Sequence, residues 1–565
     1  MPLPLAQAEQ ILQQASNGMF DIEECDINGI PTKVWKSAPE NLRTILESTR
    51  QFFDRDYLVY HDERYTYQAH YQKVAQLAYL LKSKYGIEKG DRVALAMRNL
   101  PEWPMIFWAT VISGAIIVPL NAWWKGEELT YGLHDSGAKL LFADQERLAE
   151  LIDHQQELTA LKHIVAVRQT QEMPIHAERW EDLFSGTDPE QHLPNIPIPP
   201  DTPCTLFYTS GTTGHPKGAL GTHRNICNNL LSGVFVRYRT EIRYGRKPEP
   251  AQEQLAQLIS VPLFHATGCH AILCGSTFAG SKLVFMHKWD PEVAMELIEK
   301  EKITSFGGVP SMVWQVLESP RFPYYDLSSL QTIGYGGAPS APELQKRVQS
   351  AFPHIKASNG YGLTETSALT TSNNADDYIA KPDSVGTPPP VTSVKIMNAE
   401  EKELPPGEIG EVWIFGPQVV TGYWNKPEAT SISFTNGWLH SGDLGYKDEE
   451  DFLYIVDRAK DMLIRGGENI YCVEVENALY DHPDIMDAAV VGIPDHILGE
   501  EVGAMVQVRE NSTVTEDELK AHVERHLAHF KVPKKITLDF VPLPRNANGK
   551  IMKNKVKELI GLIND

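Results

Sequence analysis

The sequence predicts an α/β fold with mostly parallel sheets, followed by a separate compact unit near the C-terminus. Apolar runs of strand length alternate with helical patterns along most of the chain, as in α/β layers. The 565 residues are 42% hydrophobic and 22% charged, an ordinary globular composition that excludes a disordered or fibrous chain. Close to residue 457 the pattern changes, which indicates a second unit.

The predicted elements follow one another from a helix whose apolar stripe is Val74, Leu77, Ala78 and Leu81. Apolar runs predict strands over Arg92–Ala96, 139–143, His163–Val167, 205–209, Lys282–Phe285 and 330–333. Helical patterns at 293–298 and after Pro310 separate the later strands. This alternation is the reason for expecting parallel pairing.

Two polar segments interrupt the alternation. Residues 189–203 carry six prolines and predict an extended connector. Residues 237–254 mix charged side chains with Pro248 and Pro250, which predicts an exposed insertion or lid.

A domain boundary is predicted where the pattern changes, after an edge strand at 451–456. The N-terminal domain is assigned to 1–456, a hinge to 457–461 and the C-terminal domain to 462–565. The C-terminal unit is expected to contain a helix starting at Cys472 or Val473, strands over 488–493 and 503–508, and a helix capped by Thr515, with Glu518 completing a capping box.

Charge and cysteine content restrict the function classes. Asp and Glu outnumber Lys and Arg by 74 to 52, so the formal net charge is −22, which argues against a nucleic-acid surface or a polybasic membrane anchor. The six cysteines form no CxxC motif and are expected to be reduced. The N-terminus lacks a signal-peptide pattern, and the most apolar stretch, 105–120, is shorter than the ~20 residues that span a bilayer. We therefore expect a cytoplasmic protein without an integral membrane segment.

The strongest local motif is YTSGTTGHPKG at residues 208–218. A predicted strand runs into a loop of hydroxyls and glycines that ends at Lys217. Glycines let backbone N–H groups approach an oxyanion, and Lys217 adds a positive charge, so the loop is suited to a polyphosphate. It is not a Walker loop, because Gly218 stands where that loop has a metal-binding hydroxyl. The alternative is a surface turn rich in Gly and Thr.

This loop resembles the signature of the adenylate-forming superfamily, of the acyl-CoA synthetase type. Further segments resemble the family's other motifs in the same order, at residues 335–339, 359–365, 441–443, 457–461, 465–470 and 544–550. The resemblance extends from about residue 40 to the end of the chain. It implies a large N-terminal domain with stacked β-sheets and helices and a small, mobile α/β C-terminal domain, with the site between them.

The resemblance also assigns the ATP site. It implies ATP or AMP contacts for Thr209, Ser210, Gly211, Thr212, Thr213, Gly214, Lys217, Gly337, Ala338, Pro339, Asn359, Gly360, Tyr361, Gly362, Thr364, Asp443 and Arg458. Tyr361, placed in a loop between two glycines, would stack on the purine, and Asn359 would pair with its edge. Asp443 and Arg458 would reach the ribose. Structural roles stay open: a packed aromatic for Tyr361, a turn former for Asp443 and a surface ion pair for Arg458.

Four positions carry the expected catalytic chemistry. Glu365 is an oxygen ligand suited to Mg²⁺ on the phosphates, and Thr364 can donate to the α-phosphate. Lys550 looks like the lysine that holds the substrate carboxylate and the α-phosphate, although alone it would be taken for a solvated lysine. His265 resembles the family's aromatic residue beside that carboxylate.

The C-terminal motifs imply further roles. Lys460 matches the hinge position, and Gly466 and Gly467 look like the glycines of the coenzyme A tunnel. The family often has proline where Cys472 stands, which leaves the shape of that loop open.

Residues 261–270 resemble the segment that borders the acyl pocket, here His265, Ala266 and Thr267. A metal cluster of His265, Cys269, His270 and Cys274 is disfavoured, because the spacing matches no zinc pattern. Thr267 stands where coumarate-type ligases tend to carry tyrosine, so a deeper pocket for an alkyl chain is expected.

The predicted function is ATP-dependent ligation of a medium- to long-chain fatty acid to coenzyme A, through an acyl-AMP and with release of pyrophosphate. Mg²⁺ is the expected cofactor, ATP and coenzyme A are the co-substrates, and a homodimer is left open. Three alternatives remain: an aryl- or phenylpropanoid-CoA ligase, an acyl-AMP ligase that loads a carrier protein, and a non-catalytic binding or scaffold protein.

Overall fold

The computed structural model describes residues 2–170, 176–189, 191–209, 216–249, 251–337, 340, 342–546 and 549–562. Its strands are β1 (Ile22–Ile27), β2 (Ile30–Trp35), β3 (Asp56–Tyr60), β4 (Glu63–Thr66), β5 (Arg92–Ala96), β6 (Ile116–Pro119), β7 (Leu140–Asp144), β8 (His163–Val167), β9 (Glu178–Arg179), β10 (Pro203–Thr209), β11 (Lys217–Thr222), β12 (Ala256–Ile259), β13 (Lys282–Phe285), β14 (Ser305–Gly308), β15 (Thr332–Gly336), β16 (Lys356–Tyr361), β17 (Thr371–Asn374), β18 (Ser393–Met397), β19 (Gly410–Phe415), β20 (Phe434–Thr435), β21 (Trp438–Lys447), β22 (Leu453–Arg458), β23 (Leu463–Arg465), β24 (Glu468–Ile470), β25 (Ile485–Asp495), β26 (Gly499–Val508) and β27 (Lys535–Asp539).

The α-helices cover the faces of these sheets. They are α1 (Leu5–Ala15), α2 (Leu42–Ser48), α3 (Tyr67–Ser83), α4 (Glu102–Ile112), α5 (Gly126–Ser136), α6 (Gln145–Glu150), α7 (His223–Arg243), α8 (Gly275–Ala279), α9 (Pro291–Glu301), α10 (Pro310–Leu317), α11 (Pro342–Ala351), α12 (Ala375–Ala380), α13 (Pro427–Ser433), α14 (Cys472–Tyr480), α15 (Glu516–His526) and α16 (Lys553–Leu562). None of the helices in the described ranges is both long and apolar enough to cross a membrane.

Two large sheets share one core. The first has the strand order β11-β10-β6-β5-β7-β8-β9 and the second β17-β16-β15-β14-β12-β13-β3-β4. Pairing is parallel except at the β10–β11, β16–β17 and β3–β4 pairs. A continuous cluster of buried side chains joins strands of both sheets to α3 and to the fully buried α4. This arrangement confirms the expected α/β fold with several sheets, and it aligns the carboxyl ends of neighbouring parallel strands.

The expectation of mostly parallel sheets is wrong beyond residue 390. The sheet of β18 to β22 is antiparallel throughout. The sheet of β23 to β27 is antiparallel except at the β26–β27 pair. Short hairpin connections join most of these strands, and a two-residue turn permits only antiparallel pairing. The last sheet has its own buried cluster with α14 and α15.

The predicted exposed insertion at 237–254 is partly wrong. Residues up to Arg243 form the end of α7, and Arg239 and Arg243 are buried. Arg239 pairs with Glu9 at 2.6 Å and Arg243 with Asp377 at 2.9 Å, so distant acidic partners accommodate charges that look exposed in the sequence. The strand predicted at 330–333 is shifted and runs over Thr332–Gly336. In contrast, the capping box of Thr515 and Glu518 and the helix starting at Cys472 are confirmed.

One ion pair joins the last sheet to the larger part of the chain. Arg509, directly after β26, donates from both terminal nitrogens to the Glu318 carboxylate at the end of α10, one bond being 3.1 Å long. A second contact lies at Gly549, where an added Cβ would come within 2.8 Å of Val309 Cγ2. The loop that carries Lys550 is therefore packed against the start of α10.

Candidate active site

Residues 210–216, which the sequence predicts to bind phosphate, are called the phosphate-type loop. The strands on either side of this loop, β10 and β11, pair in an antiparallel hairpin. Thr209, the last residue of β10, is paired with Lys217, the first residue of β11. The Thr209 hydroxyl donates to the Lys217 carbonyl at 3.3 Å, which joins the residues on either side of the loop. The predicted binding residues Ser210, Gly211, Thr212, Thr213 and Gly214 lie outside the described residues. The two ends of the loop are thus fixed by sheet pairing, with the Lys217 side chain at its mouth.

The second group of predicted residues lies at the carboxyl ends of β15 and β16. Gly336 pairs with Gly360, and a Cβ at Gly336 would lie 2.4 Å from the Gly360 carbonyl oxygen, so position 336 requires glycine. Gly337 follows with φ +73°, and Asn359 is buried one pair before the strand ends. Ala338 and Pro339 lie outside the described residues. Carboxyl ends of parallel strands are where ligands bind in α/β sheets, so the location suits a nucleotide.

Tyr361 is not in a loop as predicted but is the last residue of β16. Its hydroxyl donates to Asp443 Oδ2 at 2.7 Å. Burial raises the pKa of Tyr361 well above its usual range, and the Asp443 carboxylate adds to the shift, so the phenol stays protonated. Tyr361 and Asp443, predicted to bind base and ribose respectively, are therefore held against each other.

Asp443 connects the nucleotide residues to the predicted hinge. It lies opposite Arg458 in the β21–β22 pair, and Arg458 Nε is 3.3 Å from Asp443 Oδ1. Burial raises the pKa of Asp443, while Arg458 and the Tyr361 hydroxyl oppose the rise. The structure therefore brings Tyr361, Asp443 and Arg458 together in one set, in which Asp443 accepts the Tyr361 hydrogen bond and forms an ion pair with Arg458.

Glu365 lies in the 3₁₀ turn Thr364–Thr366, just after β16. Its Oε1 accepts a hydrogen bond from the Tyr423 hydroxyl at 2.7 Å, and its backbone carbonyl accepts the Val420 N–H at 2.9 Å. The other carboxylate oxygen accepts no hydrogen bond from the described residues and is available to a ligand. Within the described residues no group of three or more His, Cys, Asp or Glu side chains could hold a metal by itself. A single hard oxygen ligand fits Mg²⁺, which is usually held by one or two carboxylates plus substrate phosphates.

Lys550, near the end of the chain, lies close to the charged groups of Arg458, Asp443 and Glu365. Its backbone N–H donates to the Asn546 side chain at 3.0 Å, which shapes the loop. Burial and the nearby Arg458 charge lower the pKa of the Lys550 ammonium to about 8, and the Asp443 and Glu365 carboxylates offset part of this. Lys550 is half-buried, in contrast to the solvated lysine suggested by its local sequence.

His265 faces Lys550 from the opposite part of the chain. Burial, followed by repulsion from Lys550, lowers the pKa of His265 to about 3, so the imidazole is neutral. Its Nε2 is buried and has no hydrogen-bond partner among the described residues. A buried polar atom without a partner among the described residues is available to a ligand, so His265 and Lys550 are candidates to bind the same anionic group.

The segment after His265 forms a π-helical turn over Thr267–Cys274. Ala266 is buried, whereas Thr267 is exposed. Cys269, His270 and Cys274 are buried in the wall behind it. Such single π turns are frequent at functional sites.

Gly466 and Gly467 form the tight turn between β23 and β24. Their φ values of +59° and +94° fit a type I′ hairpin, which requires positive φ at both central positions. The Gly466 N–H donates to the Leu498 carbonyl at 2.9 Å, so the turn packs against the loop before β26. The hairpin geometry thus explains glycine at both positions, in addition to the predicted coenzyme A role.

Lys460 lies in the turn after Arg458, where burial lowers its pKa. Just beyond, the Cys472 N–H donates to Asp457 Oδ2 at 2.5 Å and the Cys472 thiol to the Asp461 carbonyl at 3.1 Å. Proline at this position could not make the first bond. Cysteine at position 472, where the family often has proline, therefore connects the predicted hinge to the start of α14.

Tyr423 is a contact residue that the sequence analysis missed. It lies in a Thr-Gly-Tyr-Trp run at 421–424 that no motif covered, and its hydroxyl is the donor to Glu365. The aromatic pair directly after a glycine was the available signal.

Comparisons with known proteins agree with this geometry. The family described as AMP-binding enzyme matches residues 46–424, and the AMP-binding enzyme C-terminal domain matches 474–550. Long-chain-fatty-acid–CoA ligase of Bacillus subtilis (strain 168) is 33% identical over 545 residues, covering 92% of this chain and 94% of its own. Feruloyl-CoA synthase of an Amycolatopsis species is 35% identical over 498 residues, covering 88% and 94%.

A solved structure shows the same architecture. The crystal structure of the anthranilate CoA ligase AuaEII in complex with anthranoyl-AMP has a TM-score of 0.83 at 25% identity and covers 93% of this chain and 98% of its own. Fold and matches together define an adenylate-forming enzyme with a large N-terminal and a small C-terminal part. The chain belongs to the AMP-binding enzyme family and is an acyl-CoA synthetase, for which ATP and coenzyme A are fitting co-substrates.

Proposed function

We propose that this enzyme joins a medium- to long-chain fatty acid to coenzyme A through an acyl-AMP. One observation supports the proposal most strongly. Lys550 is close enough to interact electrostatically with His265, and it interacts in the same way with Asp443 and Arg458. Asp443 is in turn hydrogen-bonded to Tyr361. A carboxylate between His265 and Lys550 would lie beside a nucleotide held at the ends of β15 and β16. That is the placement that attack on an α-phosphate requires.

In the first half-reaction, a carboxylate oxygen of the acid bonds to the α-phosphorus of ATP, and the bond to pyrophosphate breaks. Lys550 holds the carboxylate and offsets the charge that builds up on the α-phosphate. Neutral His265 orients the carboxylate, and Thr364 donates to the α-phosphate. Glu365 would hold Mg²⁺, which supplies charge neutralisation on the phosphates when bound.

In the second half-reaction, the coenzyme A thiolate attacks the acyl carbon and AMP leaves. The proposal includes rotation of residues 462–565 about Lys460, so that one site serves both steps, with Gly466 and Gly467 facing the incoming thiol. The Arg509–Glu318 pair would hold the first arrangement.

The acid class is addressed by the names of two relatives. One relative is named a long-chain-fatty-acid–CoA ligase and another a feruloyl-CoA synthase, so relatives support both acid classes. We favour the fatty acid because Thr267 stands where coumarate-type ligases tend to carry tyrosine, and the smaller side chain would leave depth for an alkyl chain. Each buried CH₂ contributes about 0.8 kcal/mol, so four more methylenes would contribute about 3 kcal/mol, or about 10²-fold in kcat/KM.

The test is kcat/KM across saturated acids of four to eighteen carbons, benzoate and cinnamates, including ferulate. We expect efficiency to rise from hexanoate to an optimum and then fall. Thr267→Tyr should move the optimum toward shorter or aromatic acids and leave the apparent affinity for ATP nearly unchanged, whereas Thr267→Val, of similar size, should keep the wild-type profile. A preference of the wild type for an aryl acid would replace the fatty acid with the aryl alternative. An unchanged profile in Thr267→Tyr would remove Thr267 from the pocket wall.

Pyrophosphate release with and without coenzyme A separates the remaining alternatives. A coenzyme A ligase forms acyl-CoA, a carrier-loading ligase stops at acyl-AMP, and a scaffold protein releases no pyrophosphate. We place the reaction in the cytoplasm, which cell fractionation tests, and light scattering decides between monomer and homodimer.

A further inference from the structure

Tyr423 is attached by its backbone to the strand that begins at Lys217. The Trp424 N–H donates to the Gly218 carbonyl at 2.8 Å, and the Leu220 N–H donates to the Gly422 carbonyl at 3.1 Å. The Tyr423 N–H donates to the Thr430 hydroxyl at 3.0 Å. The backbone of residues 422–424 therefore follows any movement of β11, the strand that closes the phosphate-type loop.

The Tyr423 side chain points from this strand toward two charged residues. Its hydroxyl donates to Glu365 Oε1 at 2.7 Å, and Lys217 Nζ lies 5.2 Å from the centre of its ring. A hydrogen bond from a phenol to a carboxylate is charge-assisted and stronger than a neutral one.

Packing against described residues covers only part of the Tyr423 ring. Phe434 meets it edge to face with 5.8 Å between ring centres. Tyr423 also lines an open groove of about 370 Å³, whose other walls include Leu220, Pro427 and Thr430. Because the groove leaves part of the ring uncovered, the hydrogen bond to Glu365 contributes to fixing both side chains.

We propose that Tyr423 is a positioning residue that couples the mouth of the phosphate-type loop to Glu365. By taking Glu365 Oε1, it turns the other carboxylate oxygen toward the metal on the ATP phosphates. The inference rests on the proposed function, because that function gives Glu365 its metal. Partners that orient a metal ligand typically contribute 10–100-fold to metal affinity, so the hydroxyl should matter although it touches no substrate.

Metal binding tests this role independently of turnover. Mn²⁺ is added to the ATP-bound enzyme without acid, and free Mn²⁺ is read by electron paramagnetic resonance. Tyr423→Phe should raise the Mn²⁺ dissociation constant by about 10–100-fold, because Phe keeps the ring but not the donor. In pyrophosphate release, KM for ATP should rise at limiting Mg²⁺ and KM for the acid should stay unchanged.

The matched control is Tyr85→Phe, which removes the same kind of bond, a phenol donating to Glu178 at 2.5 Å, in another part of the fold. It should leave Mn²⁺ binding unchanged. A second test combines Tyr423→Phe with Glu365→Gln. If the tyrosine acts through Glu365, the double variant should bind Mn²⁺ only slightly more weakly than Glu365→Gln alone.

Wild-type Mn²⁺ affinity in folded Tyr423→Phe, or losses that add in full in the double variant, would overturn the proposal. The two hypotheses fail separately. If the wild type releases no pyrophosphate with any acid, the proposed function fails while the Mn²⁺ measurements still decide the role of Tyr423.

Discussion

The lowered pKa of Lys550 leads to a pH dependence that can be worked out in advance. A lysine normally loses its charge near its usual pKa of about 10.4, well above any assay pH. Here burial and Arg458 bring the pKa to about 8. Because the charged form offsets the charge on the α-phosphate, adenylation should fall as the pH rises through this value. One unit above it about a tenth of the enzyme keeps the charge, so kcat/KM should drop about tenfold per unit.

The assay is the exchange of labelled pyrophosphate into ATP, measured with a fixed acid over about pH 6 to 10. Coenzyme A is left out, so its thiol cannot contribute to the profile. Lys550→Arg carries a charge that is not lost in this range, so the alkaline fall should disappear. Lys550→Ala should be slower by about 10²–10³ and independent of pH above 7. Supplied acyl-AMP should still be converted to thioester by both variants.

Two results would refute this reasoning. If the alkaline fall persists unchanged in Lys550→Arg, another group titrates. If Lys550→Ala slows both half-reactions equally, Lys550 is not specific to adenylation.

Two further changes address the region of the predicted hinge. Lys460→Pro fixes φ near about −65° and should slow the thioester half more than adenylation, which pre-steady-state kinetics of the two halves can show; an unchanged thioester step would remove Lys460 from the mechanism. Cys472→Pro removes the hydrogen bond from the backbone N–H to Asp457. Burial raises the pKa of Asp457 to about 6, so this acceptor is charged at pH 8. Loss of the bond should therefore lower the free energy of unfolding, measured in urea, by about 1.5–3 kcal/mol. Cys472→Ala keeps the N–H and should cost less than Cys472→Pro, and equal stability of the two variants would show that the bond contributes little.

The sequence alone was sufficient wherever one local rule decides the structure. Arg92–Ala96 is a strand because its apolar run is buried in the middle of a sheet, and Thr515 caps α15 through Glu518, three residues away. The predictions were wrong where residues distant in the chain determine the structure. Arg239 and Arg243 look exposed because their acidic partners are more than a hundred residues away in the chain. The glycines around Tyr361 suggest a loop, yet pairing with β15 keeps it in a strand.

In the active site, too, local sequence patterns predict some features and residues distant in the chain determine others. The residue types of the Thr209–Lys217 pair and of Glu365 indicate phosphate chemistry without any tertiary information. The depressed pKa of Lys550 and the unpaired His265 Nε2 depend on burial and on neighbours from other segments, which no local pattern contains. Tyr423 belongs to this second group, because its importance comes from which carboxylate it reaches.

The type I′ turn of Gly466 and Gly467 has a consequence for mutagenesis. Alanine at either position would be strained by the positive φ, so lost activity in an alanine scan would report a distorted hairpin and not a missing thiol contact. Asparagine followed by glycine suits this turn, so Gly466→Asn preserves the hairpin while adding a side chain. An added Cβ at Gly466 would lie 3.1 Å from Leu498 Cδ2, the end of a flexible side chain that has to move only slightly to accommodate it. Position 466 is thus a place to attach a spectroscopic or crosslinking reporter, with which the path of the thiol substrate can be followed directly.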